Sequence, residues 1–218
     1  MKIGIITQRI GRNYGGTIQN YALQTILKRL GHDSVTLMLN RPTHSFIRTL
    51  IHAIIDPILR LTSKEVPLFF SKKIADAVYN KTQKFVDDNI CIAYLNENGF
   101  RNYALRHGIE AFVVGSDQVW RPMYNDSLEI NYLGFVEDLK LKKIAYAASF
   151  GVDEWEYSEK ETIRCSKLAK EFDNISVREA SAVELCKKHL GVYSEHVLDP
   201  TMLLSKEDYC KLLKGEKY

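Results

Sequence analysis

Short apolar runs closed by small polar residues recur along this chain, and most are followed by a longer stretch with apolar residues three and four apart. The runs at 2–7 (KIGIIT), 34–39 (SVTLML), 111–114 (AFVV), 143–151 (KIAYAASFG), 174–179 (NISVRE) and 196–200 (HVLDP) predict strands. A run with no polar alternation suits a strand covered on both faces. Helical spacing appears at 17–30, where Ile18, Tyr21, Ala22, Ile26 and Leu30 form a stripe. Thr17 is the expected cap of that helix and Gly31 its stop. Further helices are predicted at 44–61, 71–89, 101–107, 158–172, 180–190 and 205–213. Pro57 kinks or breaks the second of these, and Gly191 closes the one at 180–190. Ser205 with Asp208 three residues on makes a weak capping box, because the acid is short. No strand is predicted between Asn40 and Gly108, and 126–142 reads as irregular. The order is β-α-β, a helical insertion, then β-β-α-β-α-β. It predicts an α/β fold: a doubly wound, mostly parallel, Rossmann-like sheet.

The stretch 111–120, AFVVGSDQVW, organises this reading. A buried parallel strand has little structural reason to end in an alcohol, a carboxylate, an amide and an indole. In open α/β sheets, ligands sit beyond the carboxyl ends of the strands where the strand order reverses. The strands at 2–7 and 111–114 are therefore expected to be the central pair flanking that point.

With 218 residues, 45% of them hydrophobic, the chain suits one large domain, or one and a fraction, with an ample core. Its net charge of +3 selects no partner, and no nucleic acid is expected. Lys and Arg dominate residues 1–110, whereas Asp and Glu dominate 111–218, a weak pointer to an anionic ligand or a membrane surface. Cys91, Cys165, Cys186 and Cys210 have neither CxxC nor zinc-finger spacing, so reduced thiols are expected, with no metal and no cofactor. No signal peptide and no apolar run of about 20 residues is seen, and a cytoplasmic location follows as the expectation.

Five motifs, NYGGTIQNYALQ, GSDQVW, AYAASFG, SVRE and LDPTMLL, occur in order and together resemble the polysaccharide pyruvyl transferase family from Met1 to about Leu204. The resemblance implies half of a two-domain, GT-B-like architecture. It gives a domain at 1–198 with a helical insertion at about 43–107. Residues 199–218 would start a second domain or form a crossing segment. Gly16 departs from the family pattern, which has a small non-glycine residue there, and family chains are much longer. The implied activity is transfer of a pyruvyl group from phosphoenolpyruvate to a pair of sugar hydroxyls as a ketal, in surface polysaccharide synthesis. The implied partners are phosphoenolpyruvate and a saccharide acceptor, often lipid-linked. The alternatives are a GT-B glycosyltransferase using a nucleotide sugar, or an inactive, truncated acceptor-binding domain.

Ketal formation needs a general acid, a general base, and cations for a carboxylate and a phosphate. The loop at 8–16 has Gly11, Gly15 and Gly16 before a helix, with Arg9, Arg12, Asn13 and Tyr14 around them. It reads as an anion cradle or as a tight strand-to-helix turn. Gln19 lies early enough on the helix to face the cleft, whereas Asn20 and Gln24 suit its solvated face. Ser116, Asp117, Gln118 and Trp120 are candidate substrate contacts. Asp117 is the candidate base or a helix cap, and Trp120 stacks on a sugar ring or packs in the core. Arg178 is the candidate ligand of the donor's phosphate or carboxylate, or else the partner of Glu179. Ser149 is a lining candidate at a third strand end. His44, His52, His189 and His196 read as structural or exposed. The basic amphipathic helix around 47–61 packs on the sheet or rests on the inner face of a membrane. Self-association is expected if the second domain is missing.

Overall fold

A computed structural model describes residues 1–10, 13–40, 72–125 and 127–213, with backbone alone for 72–79. The helix predicted at 44–61, with its membrane contact, and Gly11 and Arg12 lie outside the described residues.

Seven parallel strands form one sheet in the order β3-β2-β1-β4-β5-β6-β7. They are β1 (Lys2–Ile6), β2 (Asp33–Leu39), β3 (Ile92–Leu95), β4 (Ala111–Val114), β5 (Lys142–Ala148), β6 (Asn174–Val177) and β7 (Glu195–His196). The order runs outward both ways from β1 and β4, which pair in register from Ile3 with Ala111 to Ile6 with Val114. The expected central pair is therefore the observed one, and the sheet is doubly wound.

The first crossover is α1 (Tyr14–Arg29), which lays Leu23 and Leu27 on Ile3, Ile5, Ala111 and Val113. Residues i and i+2 of a strand face the same side, so this alternation assigns Phe112 and Val114 to the opposite face. There Ile6, Phe112, Val114, Trp120, Tyr132 and Leu168 build the larger core. Gly4 is needed in β1 because a Cβ would sit 2.4 Å from the Phe112 ring. The remaining helices are α2 (Lys72–Asn89), α3 (Gly99–His107), α4 (Leu128–Asn131), α5 (Glu159–Ala169), α6 (Ala180–Leu185) and α7 (Lys206–Cys210). A π-helical turn, Cys186–Leu190, extends α6 to Gly191 at φ 67°.

Four local expectations need correction. The insertion is not wholly helical: β3 is a strand, missed because it is a four-residue edge whose side chains are half-buried or exposed. Thr17 does not cap α1. The helix starts three residues earlier at Tyr14, so Gly15 and Gly16 lie in its first turn, and the Thr17 hydroxyl donates to the Asn13 carbonyl. The stretch read as irregular holds α4 and one 3-10 turn, Gly134–Val136. The box at Ser205 is fully formed: Ser205 accepts from the Asp208 N–H, and Asp208 accepts from the Ser205 N–H at 3.0 Å. A second box, Ser158 with Glu161, starts α5. Gly31, at φ 80°, ends α1 as predicted; His32 N–H bonds the Leu27 carbonyl and Gly31 N–H that of Lys28, a Schellman pattern.

Candidate functional site

The carboxyl ends of β1, β4, β5 and β6 open onto a crevice bounded by the start of α1. After β4 the backbone turns sharply through Gly115 at φ 125° and Asp117 at φ 74°, and the Gly115–Ser116 peptide is cis. A Cβ on Gly115 would lie 2.1 Å from the Tyr146 carbonyl oxygen, so only glycine fits there. The Asp117 carbonyl accepts from Val119 and Ser149 N–H, which pins the turn to the end of β5. Its carboxylate is thereby aimed at α1. Asp117 Oδ2 lies 3.4 Å from Asn13 Nδ2, which donates to it, and 3.2 Å from where a Gly16 Cβ would be. Asp117 Oδ1 accepts from the Gln118 N–H. The bend at Asn13–Gly16 and the tip at Ser116–Gln118 are thus side by side, as the switch-point reading requires.

The first turn of α1 has no acidic residue of its own. Its positive end faces the Asp117 carboxylate across the crevice, a favourable pairing with the helix dipole. The spot assigned in sequence to a bound anion therefore already borders a protein carboxylate.

Asp199, just beyond β7, is the hub of the site. Its Oδ2 accepts from Gln19 Nε2, from Ser116 Oγ at 3.0 Å and from Arg178 Nη1 at 3.4 Å. Its Oδ1 accepts from both the N–H and the hydroxyl of Thr201. Burial pushes the Asp199 carboxyl up, but the bonds from Thr201, Gln19 and Ser116 outweigh it and hold it below the usual range. Five donors saturate this carboxylate, so it orients its neighbours rather than receiving a proton. Tyr146 donates to the Leu198 carbonyl and fixes the approach to Asp199.

Arg178 meets three groups: Asp199, Glu179 Oε1 through Nε at 3.2 Å, and Ser149 Oγ through Nη2 at 3.2 Å. Ser149 donates to Glu179 Oε1 at 2.6 Å and accepts from Gly151 N–H. The guanidinium pairs with the protein's own carboxylates, Glu179 and Asp199, so the Arg–Glu partnership raised as the alternative in the sequence is present. Asp117, Glu179 and Asp199 outnumber Arg178, so the crevice is net acidic among the described residues.

The candidates separate by exposure. Arg9, Asn13, Tyr14 and Gly15 are exposed, and Asp117, Gln118 and Arg178 are half-buried. Gly16, Gln19, Ser116 and Ser149 are buried; Gln19 and Ser116 hold Asp199 in place, and Ser149 holds Glu179. Asn20 and Gln24 are also buried, bonded to Thr36 rather than solvated. Trp120 does not stack on a ligand: it is 0% exposed, lies 4.9 Å from Tyr132 with near-parallel rings, and donates to the Asn131 carbonyl. Asp199 and Glu179 were not singled out as site residues in the sequence. The readable signal was Asp-Pro-Thr after a strand, an Asx turn in which the acid accepts from the residue two positions on.

A model of the polysaccharide pyruvyl transferase family matches residues 13–215. No curated protein matches the chain. Among solved structures the chain is similar to MurG of Acinetobacter baumannii, at 11% identity and a TM-score of 0.45, covering 99% of this chain and 49% of that one. It is also similar to an alpha-glucosyltransferase solved with UDP and a 13-mer DNA containing an A:G mismatch, at 12% identity and a TM-score of 0.38, covering 83% and 37%. The chain spans about half the length of the first and less of the second.

Proposed function

The chain belongs to the polysaccharide pyruvyl transferase family, and from that premise we propose that its crevice holds the saccharide acceptor during pyruvyl transfer from phosphoenolpyruvate. The carrying observation is the Asp117 carboxylate, set on a left-handed backbone at a strand end and facing Asn13 across the switch point. Carboxylates and amides recognise hydroxyls, and a net acidic crevice suits a neutral diol better than a phosphate.

In this reading Asp117 takes the proton of the attacking hydroxyl. A general acid protonates the methylene carbon of phosphoenolpyruvate, the central carbon becomes cationic, and the hydroxyl oxygen bonds to it. The second hydroxyl then bonds the same carbon as the C–O bond to phosphate breaks, closing the ketal; its proton leaves with the phosphate, and the proton taken by Asp117 passes to solvent, balancing the one gained by the methylene carbon. Asn13 and Gln118 orient the acceptor at the rim. Arg178, Glu179 and Asp199 fix the floor.

The test is incubation of the protein with phosphoenolpyruvate and a panel of free and lipid-linked saccharides, following phosphate release and the mass of the saccharide. A pyruvylated sugar with stoichiometric phosphate supports the reading. Glycosyl transfer from uridine or guanosine diphosphate sugars instead, or no turnover with any acceptor, overturns it. Asp117→Asn should lower turnover by about 100-fold or more while the fold stays intact, because Asn tolerates the left-handed backbone and keeps an acceptor oxygen.

A further inference from the structure

A cavity of about 200 Å³ opens at the carboxyl ends of β1 and β2, with Gln8 in its lining. Its floor is apolar, with Ile6, Leu37 and Phe100; its rim carries Thr7, Gln8, Asn125 and Asn131; Arg9 and Tyr124 stand at its edge. The amides are not loose. Gln8 Nε2 donates to the Gln118 carbonyl and to Asn125 Oδ1, and Asn131 Nδ2 donates to Asn125 Oδ1 and to the Val119 carbonyl. The rim is thus preorganised and is bonded directly to the residue following Asp117. Tyr124 is 55% exposed, with Arg121 over its ring at 5.3 Å. Among the described residues that line the cavity Arg9 is the single charged one; it is exposed and has no carboxylate partner among the described residues.

We propose that this cavity is a second saccharide subsite, taking one sugar ring that carries an acid group next to the ring presented to Asp117. This rests on the reading above and extends it to the class of acceptor. The volume lies below the ~300–1,000 Å³ of pockets for drug-sized ligands, so it admits one ring rather than an oligosaccharide. The Arg9 guanidinium, without a carboxylate partner among the described residues, supplies the recognition of a carboxylate. The apolar floor and the exposed Tyr124 ring suit the C–H face of a sugar. Arg9 thereby acts here and not at the glycine-containing start of α1.

Titration with glucuronate, glucose, phosphoenolpyruvate and inorganic phosphate, read by calorimetry and saturation-transfer NMR, tests the subsite without requiring turnover. Saturable binding of glucuronate is expected, with glucose at least about tenfold weaker, consistent with the loss of a charge-assisted contact. Arg9→Gln, at an exposed position, should weaken glucuronate by a similar factor and leave glucose unchanged. Ser127 also lines the cavity, and Ser127→Trp, which fills it, should abolish both. Absent glucuronate binding, equal binding of glucose, indifference to Arg9→Gln, or displacement by phosphoenolpyruvate or phosphate at lower concentration would each overturn the subsite. Turnover with phosphoenolpyruvate and a neutral acceptor would leave the proposed function standing even then, so the two failures are distinguishable.

Discussion

Single residues set the geometry of the crevice, and two of them make sharp predictions. Gly115→Ala puts a methyl group 2.1 Å from a backbone oxygen at φ 125°, so a loss of about 3 kcal/mol or more is expected. Thermal unfolding should fall by roughly 6–12 °C for a chain of this size. Asp199 has a depressed carboxyl, so its stabilising contribution is present above the unfolded value near ~4 and is lost as pH falls through the folded one. Asp199→Asn should therefore cost about 2 kcal/mol at neutral pH, with the gap to wild type closing in acid; urea midpoints at descending pH measure it. A gap that is constant with pH would show that hydrogen-bond geometry, not charge, does the holding. At this scale the sequence made Asp117 and Asn13 legible, because both are polar residues at punctuated ends of predicted elements. It did not separate an exposed polar tip from a buried one. Ser149, Ser116 and Gln19 have the same signature as Asp117, yet each spends its hydrogen bonds inside the protein.

Among the elements, those with strong local codes were readable. The Ser158 box that starts α5 was encoded by Ser and Glu three apart, and the stop of α1 by Gly31. Ser158→Ala should cost about 1 kcal/mol and fray the start of α5, seen as faster amide exchange there. Elements defined by their neighbours were not readable. β3 exists because β2 offers an unpaired edge, with Thr36 opposite Ile92 and Leu39 opposite Leu95. Four residues without a polar alternation give no period to detect. The start of α1 shifted for a related reason. Glycine is a poor helix former, so Gly15-Gly16 reads as a loop. In the folded chain the small residues bring the first turn close to Asp117, a contact no local pattern encodes.

For the molecule as a whole, two cysteines are exposed and two buried, and burial pushes Cys165 up to about 12 and Cys186 up to about 11. Ellman's reagent at mild alkaline pH should label Cys210 and, more slowly, Cys91, whose thiol burial also raises. The other two should react only once the protein is unfolded; four thiols reacting at one rate would contradict the packing between the sheet and α5–α6. The central pair and the two-way winding were legible because connection rules leave few topologies once a βαβ opening is recognised, whereas the edge at β3 was not. That order also has a bearing on biosynthesis. The strand made first, β1, must wait for β4, about a hundred positions later, before the middle of its sheet exists, and Gln19, Ser116 and Arg178 have no common anchor until Asp199 has left the ribosome. Nascent chains arrested before that point should carry an unfinished sheet edge to chaperones, with the crevice around Asp199 among the last features to acquire its shape.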